Sequence, residues 1–280
     1  MQKSTITHLF LLFLAVCSLT GCASKKYTNV NYLPADFKVE GVKPTLNVFK
    51  PRNSNKNKDV LIFVHGGNWN SGKKELYSFL GRNFAKRDVV TVIAGYTLSP
   101  LANYDDMAQE IAEVIKWTHN NIDKYGGNPE RIFITGHSAG GHLAALATMN
   151  PKYLNENNLI TGIILDDAAG LDMYNRLQEK APVNKNNYIT TWTEDKANWK
   201  DASPIYFLNE KTPPILTYSG LKSYEHLIRF NKEFYKELLQ FQPQAKFIEL
   251  NKKHVPMITQ FIWPWSKRYK EIINFMKSVD

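Results

Sequence analysis

One short segment of the chain has the pattern of a nucleophilic serine. The sequence GHSAG at 136–140 places a glycine two residues to either side of Ser138. Between a strand and a helix, this pattern forms a sharp turn that exposes the serine hydroxyl as a nucleophile. Since five residues with three fixed positions recur by chance, the context decides. A strand-like run at 131–135 precedes the segment and an alanine-rich helical run at 138–149 includes and follows it, so we predict that Ser138 is the nucleophile.

A second segment has the composition of an oxyanion-binding loop. The sequence HGGNW at 65–69 directly follows the apolar run at 59–64, which is typical of a buried strand. Consecutive glycines after a strand let backbone N–H groups point into a cavity, where they can bind a developing negative charge. We therefore predict an oxyanion hole made by the N–H groups of Gly66, Gly67 and Ala139. The histidine that opens the segment is expected to brace the loop.

A general base must be found among seven histidines. The strand–turn–helix class of serine hydrolase orders its triad as serine, acid and histidine along the chain. Outside the helix of Ser138 itself, two histidines follow the serine, His226 and His254. His254 comes directly after the last predicted strand, at 246–250. From the residues alone, both histidines are candidates to take the Ser138 proton.

Three motifs together resemble a known family. HGGNW at 65–69, GYTLSP at 95–100 and GHSAGGHLA at 136–144 resemble those of the hormone-sensitive-lipase-like esterases. They are also similar to the related exported feruloyl and acetyl esterases and to the kynurenine-formamidase-like hydrolases. The resemblance covers about 45–278. One departure is Thr97, which stands where the family has arginine, and we expect it to affect a structural loop rather than the chemistry.

The resemblance implies a reaction and a base. It implies an α/β-hydrolase fold and hydrolysis of carboxylic esters through an acyl-enzyme, with acetyl or feruloyl esters of carbohydrates as the leading substrate candidates. We also predict no cofactor, and no metal site because Asp166 and Asp167 have no His or Cys partner at metal-ligand spacing. The resemblance also favours His254 over His226, since the family's catalytic loop follows the last strand. Two alternatives remain: an amide hydrolase of the formamidase or peptidase type, and a binding protein that kept the fold but lost activity.

The triad acid is the least defined part of the predicted site. The resemblance implies a carboxylate three residues after the glycine that follows the strand at 214–218, but that position is Ser223. The nearest carboxylate is Glu225, which we predict to be the acid. Glu225 could instead be an ordinary first-turn residue, since carboxylates are favoured at helix N-termini. The reserve candidates are Asp166, Asp167 and Asp195.

Short β-like runs alternate with helical ones along the chain, which predicts an α/β domain over 41–280. This alternation is typical of a mostly parallel sheet with helices on both faces. The stretch 167–208 interrupts it, and long irregular segments in compact domains are often functional. Because this stretch contains several tryptophans and tyrosines, we predict a small cap over the site. The predicted strands are 59–64, 89–94, 131–135, 160–165, 214–218 and 246–250, and the predicted helices are 105–125, 138–149, 224–239 and 266–276.

The N-terminal segment resembles a bacterial lipoprotein signal. An apolar run at 9–19 has signal-peptide length, and it ends in Leu-Thr-Gly-Cys at 19–22. The resemblance implies removal of 1–21 and lipidation of Cys22, followed by a tether over 22–40. The alternative is an ordinary secretory signal. With no acidic residue soon after the cysteine, we expect a lipid-anchored protein of the bacterial cell envelope that faces the periplasm.

Composition sets further bounds. The 280 residues are 43% hydrophobic and carry a formal net charge of +9. The basic residues are scattered, so we interpret the charge as a solvated surface and predict no nucleic-acid partner. One of the two cysteines, Cys17, would leave with the signal and the other would carry lipid. The mature domain would then have no disulfide and must rest on its hydrophobic core.

Overall fold

The computed structural model describes residues 24–52, 57–154 and 159–279. The predicted signal at 1–21 and Cys22 lie outside the described residues. The described chain contains one eight-stranded sheet. Its strands are β1 Ser24–Asn31, β2 Thr45–Pro51, β3 Lys58–Val64, β4 Val90–Ala94, β5 Gly127–His137, β6 Gly162–Asp166, β7 Ile215–Gly220 and β8 Lys246–Leu250.

The strands follow the order β1-β2-β4-β3-β5-β6-β7-β8 across the sheet. β1 and β2 are antiparallel to their neighbours, while β3 to β8 pair in parallel. In parallel strands every carboxyl end lies at one edge of the sheet, which is where ligands bind in this class of fold.

Nine α-helices lie in the described ranges, α1 Ser78–Ala85, α2 Tyr104–Asn121, α3 Ala139–Met149, α4 Met173–Glu179, α5 Tyr188–Trp192, α6 Lys196–Asp201, α7 Glu225–Leu238, α8 His254–Thr259 and α9 Lys267–Ser278.

Short 3₁₀ helices complete the connections between these elements. In the described ranges they are Lys74–Tyr77, Ile122–Tyr125, Lys185–Asn187, Pro204–Phe207 and Gln260–Ile262.

Two hydrophobic cores lie on opposite faces of the sheet, as the period of two in a strand requires. On β3, Val60 and Ile62 contribute to one core, and Leu61 and Phe63 contribute to the other. The first core is covered by α2, α3 and α7, and the second by α1 and α9. The prediction of a mostly parallel sheet with helices on both faces is confirmed.

The predicted tether over 22–40 is wrong for its first part. Residues Ser24–Asn31 form β1, which pairs antiparallel with β2 at the edge of the sheet. Most side chains of an edge strand can remain in solvent, so its sequence is as polar as that of a linker. The apolar side chains of this strand are Tyr27 and Val30, and both pack against the first core. No helix within the described ranges combines the length and the apolar character needed to cross a bilayer.

The segment predicted as a cap, 167–208, contains the three short helices α4, α5 and α6. Its aromatic residues form a packed centre. Trp192 is fully buried and contacts the ring of Trp69 edge-on at 4.6 Å between centroids. Trp199 donates its indole N–H to the backbone carbonyls of Trp192 and Thr193. The contact between Trp192 and Trp69 attaches the segment to the predicted oxyanion loop.

Candidate active site

The nucleophile turn is sterically defined by its two glycines. β5 ends at His137 and α3 begins at Ala139, so Ser138 occupies the turn with a φ of 56°. A Cβ on Gly136 would lie 2.3 Å from the carbonyl group of Gly140, and a Cβ on Gly140 would lie 2.1 Å from the carbonyl oxygen of Val64. Neither position can hold a side chain, and the serine is kept in a conformation that non-glycine residues rarely adopt.

Ser138, His254 and Asp167 form one hydrogen-bonded line. The Oγ of Ser138 is 2.9 Å from Nε2 of His254, and Nδ1 of His254 is 2.6 Å from Oδ2 of Asp167. An ionised carboxylate at Nδ1 holds the proton on that nitrogen, which leaves Nε2 free to accept the proton of the serine. The structure thus brings the predicted nucleophile and the predicted base into contact.

The acid position requires a correction. Glu225, the predicted acid, is the exposed first residue of α7, and no bond joins it to His254 in the described structure. Asp167, one of the reserve candidates, occupies the place beside His254. Asp195 is also exposed and caps α6 by accepting from the N–H of Ala197.

Asp167 is held by three donors. Besides His254, it accepts hydrogen bonds from the backbone N–H of Gly220 at 2.9 Å and from Oγ of Ser223 at 2.5 Å. Burial alone would raise the pKa of Asp167, but these three hydrogen bonds outweigh burial and lower the pKa below its ordinary value. The carboxylate is therefore charged at neutral pH. Ser223, at the position where the family's acid was expected, supports the acid instead of supplying it.

The neighbouring carboxyl group behaves in the opposite way. Asp166 is the last residue of β6 and is buried. Burial, reinforced by the negative charge of Asp167, raises the pKa of Asp166 well above its ordinary value, although Arg268 opposes the shift. One of its carboxyl oxygens has no hydrogen-bond partner in the described part of the chain. The surroundings of Asp166 therefore favour its neutral form, and we assign it a structural role.

The predicted oxyanion loop packs directly onto the nucleophile. A Cβ on Gly66 would lie 2.7 Å from the carbonyl oxygen of His137 and 3.1 Å from Cβ of Ser138. Within the described ranges, the backbone N–H groups of Gly66, Gly67 and Ala139 donate to no protein acceptor. Three free amides beside the serine can bind a developing oxyanion.

Two buried histidines brace this loop. Burial lowers the pKa of His65, whose Nδ1–H donates to the Gly66 carbonyl at 2.9 Å. The pKa of His142 is lowered by burial to about 4, so its ring is neutral at pH 7. It accepts from the indole N–H of Trp69 at 3.1 Å and donates from Nε2 to the carbonyl of Ala202 at 2.7 Å. His142 thus joins the oxyanion loop to the cap segment.

A cavity of about 810 Å³ opens beside Ser138. Its walls come from the oxyanion loop, the cap segment, α7 and the start of α8. His226 lines this cavity and is half-buried, but it makes no bond to Ser138 in the described structure. No group of three or more His, Cys, Asp or Glu side chains in the described ranges is placed to hold a metal ion. Aromatic lining residues are Trp69, Tyr77, Tyr188, Tyr224 and Phe230.

Thr97, the departure from the family motif, has a structural role. Its N–H and Oγ each lie 2.6 Å from the carboxylate of Glu110, which is buried. Burial raises the pKa of Glu110 to about 7, because the two hydrogen bonds from Thr97 only partly offset it. The threonine therefore stabilises a buried carboxyl group.

Comparison with known proteins supports the same class. The BD-FAE family model matches residues 46–232, more than half of the chain. An isoprenylcysteine alpha-carbonyl methylesterase of Arabidopsis thaliana is 38% identical over 104 residues, which is 37% of this chain and 24% of that protein. Rabbit (Oryctolagus cuniculus) arylacetamide deacetylase is 28% identical over 181 residues, covering 60% of this chain and 46% of that protein. The chain thus spans less than half the length of each of these two curated relatives.

The solved structures that resemble this chain include esterase B from Lactobacillus rhamnosis. A phosphonate-inhibited form of that protein superimposes with a TM-score of 0.75 at 18% identity, over 99% of this chain and 93% of that chain. At this identity the likeness establishes the fold. The prediction of an α/β-hydrolase fold is confirmed.

Proposed function

The chain belongs to the BD-FAE family, and from this membership and the site geometry we propose that it hydrolyses carboxylic esters through an acyl-enzyme. The single observation that carries the proposal is the line of hydrogen bonds from Ser138 through His254 to Asp167, at 2.9 and 2.6 Å. That spacing is within the range required of a nucleophile, its base and the group that orients the base.

The reaction follows from the placement of these groups. Ser138 attacks the ester carbonyl while Nε2 of His254 takes its proton, and the negative charge that develops faces the free amides of the oxyanion loop. Each such amide typically contributes about 2.7–4 kcal/mol of transition-state stabilisation. His254 then returns the proton to the leaving alcohol, and water activated by the same imidazole releases the acid.

The substrate proposal is an acetyl or feruloyl ester of a carbohydrate. It is supported by the resemblance of the motifs and by the aromatic lining of the cavity, since aromatic rings pack well against both aryl groups and sugar rings. An amide substrate is the second candidate, favoured by the match to arylacetamide deacetylase. The case for an inactive binding protein rested on the missing family acid, and Asp167 occupies that place beside His254.

A fluorophosphonate probe and a substrate panel test the proposal together. We expect the probe to label the wild-type chain and not Ser138→Ala. We also expect acetyl, butyryl or feruloyl esters to be hydrolysed faster than a matched aryl formamide or acetanilide. Labelling that persists in Ser138→Ala would place the nucleophile elsewhere, and faster amide turnover would favour the second candidate.

We further propose that Cys22 carries lipid and holds the domain at the periplasmic side of a bacterial envelope membrane. The sequence at 19–22 supports this, and β1 begins at Ser24 with one residue between. A lipid on Cys22 would therefore hold the edge of the sheet close to the bilayer. Cys22→Ser should lose incorporation of a labelled fatty acid and leave the membrane fraction. Unchanged membrane association without labelling would contradict the anchor.

A further inference from the structure

One cationic side chain lines the cavity beside the nucleophile. Arg176 lies on α4 in the cap segment, is half-buried, and lines the same cavity as Ser138 and Tyr188. Among the described residues that line this cavity, Arg176 is the one lysine or arginine. The cavity wall therefore carries a single fixed positive charge.

No described residue neutralises this charge through an ion pair or hydrogen bond to the Arg176 guanidinium. The two carboxylates nearest to it in the sequence are engaged elsewhere. Asp172, which also lines the cavity, caps α4 by accepting from the N–H and the side-chain amide of Asn175, at 3.0 and 2.6 Å. Glu179 forms an ion pair with Arg229 at 2.6 Å. The guanidinium of Arg176 is thus available to a ligand.

The neighbouring imidazole adds no second charge. Burial lowers the pKa of His226, and the positive charges of Arg176, Arg229 and Lys180 together with His254 act in the same direction, so that the pKa is about 4. At neutral pH His226 is therefore uncharged. It can donate or accept one hydrogen bond beside the guanidinium.

We propose that the ester hydrolysed at this site carries a carboxylate, and that Arg176 binds it. This inference rests on the proposed esterase function and narrows its substrate class. A planar guanidinium presents paired N–H donors that match the two oxygens of a carboxylate. A single guanidinium without a second cation in the cavity suits a monoanion better than a phosphate, and the carboxylate of Asp172 on the same wall would repel a dianion more strongly. The arginine is positioned to bind substrate and takes no part in the bond-breaking step.

Matched substrate pairs test this proposal and locate the carboxylate. For the acyl side, the pair is mono-4-nitrophenyl glutarate and 4-nitrophenyl valerate. For the alcohol side, the pair is 4-acetoxybenzoate and its methyl ester. In the wild-type chain we expect one anionic ester to have the higher kcat/KM of its pair. In Arg176→Gln that advantage should fall by about 10- to 100-fold, mainly through KM, as expected for loss of a charged hydrogen bond, because hydrolysis of the neutral esters should fall much less than that of the anionic ester.

Lys180→Gln is the matched control, because it removes the same charge from an exposed residue at the end of α4 that does not line the cavity. It should leave the anionic-to-neutral ratio unchanged. Equal losses in Arg176→Gln and Lys180→Gln would show a long-range field effect and overturn the proposal. So would a wild-type chain that prefers the neutral ester of both pairs.

A binding measurement separates this inference from the proposed function. In Ser138→Ala, which lacks the nucleophile, calorimetry with the two anionic esters should show that at least one of them binds more weakly when Arg176→Gln is added. If wild type hydrolyses no ester, the proposed function fails, but this binding difference still supports the carboxylate site. If binding in the Ser138→Ala background is the same with arginine or glutamine at position 176, the carboxylate site is overturned.

Discussion

The ends of β6 and β7 divide between them a task that the family motif assigns to one strand. β6 is followed by Asp167, which supplies the charge at His254. β7 ends at Gly220 and is followed by Ser223, and these two residues hold the carboxylate without supplying it. The site thus requires a carboxylate at Nδ1 of His254. It does not require that the carboxylate come from a particular strand.

Two neighbouring parallel strands can exchange this role because their ends are side by side. Asp166 pairs with Tyr218 in the sheet, and the N–H of Asp167 donates to the carbonyl of Tyr218 at 2.8 Å. The hydroxyl of Ser223 lies 3.4 Å from Nδ1 of His254, close behind the carboxylate. A side chain one atom longer at position 223 would therefore reach the imidazole.

The largest effect is expected from Asp167→Asn. The asparagine keeps the shape but cannot hold the imidazole in the tautomer that accepts the serine proton, so kcat should fall by about 10⁴-fold, as with other triads. Steady-state kinetics on a short-chain aryl ester measure this, with circular dichroism to verify folding. Retention of most activity would mean that a carboxylate other than Asp167 orients His254.

A charge moved to the end of β7 should restore part of this loss. In Asp167→Asn with Ser223→Asp, the new carboxylate can reach Nδ1 of His254 and accept from the amide of Asn at 167. We expect kcat of this double variant to be about 100-fold higher than that of Asp167→Asn. This would recover part of the roughly 10⁴-fold that a misoriented histidine costs. The double variant with Ser223→Asn has the same shape without the charge, and it should not recover. Equal rates in the two double variants would show that a carboxylate placed after β7 cannot replace the one placed after β6.

The sequence predicted the parts of the site that are local in the chain. Ser138 is identified by adjacent glycines, a preceding strand and a following helix, and the loop with Gly66 and Gly67 is identified in the same way. Chain order left His226 and His254 as candidates for the base, and the resemblance favoured His254 because it directly follows the last strand. Each of these signals is contained within about ten to twenty residues, so no long-range packing had to be known.

The acid could not be assigned because its identity depends on distance in space. Asp167 is far from His254 in the sequence, and the choice between Asp167 and Glu225 depends on how far β6 and β7 extend at the sheet edge. One signal was present, since two adjacent carboxylates follow the apolar run at 160–165. Strand alternation would direct one of them away from the site.

The edge strand β1 was missed for another reason. Its sequence contains too few apolar residues to show the alternating pattern of a strand.

A smaller effect is expected from Ser223→Ala, which removes one hydrogen bond to Asp167 and leaves the Asp167 carboxylate in place. Asp167 would keep its bonds to His254 and to the Gly220 amide. The loss of one hydrogen bond to a charged group should lower kcat by about tenfold. Because that bond lowers the pKa of Asp167, the pKa of this carboxyl group should also rise, which a carboxyl titration followed by NMR measures. Ser223→Thr retains the hydroxyl and should restore both properties.

A change in stability with pH is expected from Asp166→Asn, at the last residue of β6. Asp166 has a raised pKa in the folded chain, so above about pH 3.8 the unfolded chain releases a proton that the folded chain retains. Stability is therefore lost as pH rises through this window. Asp166→Asn removes that loss, and its free energy of unfolding relative to wild type should increase with pH in denaturant titrations. If the difference between the two chains is independent of pH, Asp166 is not neutral in the fold.

The smallest effect is expected from Glu225→Gln, at the carboxylate nearest to the position where the resemblance implied the acid. Its side chain is exposed on the first turn of α7, and among the described residues the interaction found for it is with the charge of Arg229. Activity should stay within about twofold of wild type, and stability within about 0.5 kcal/mol, as for most surface substitutions. The same assay used for Asp167→Asn makes the two carboxylates directly comparable. A loss at Glu225 that approaches the loss at Asp167 would mean that Glu225, at the start of α7, serves as the acid.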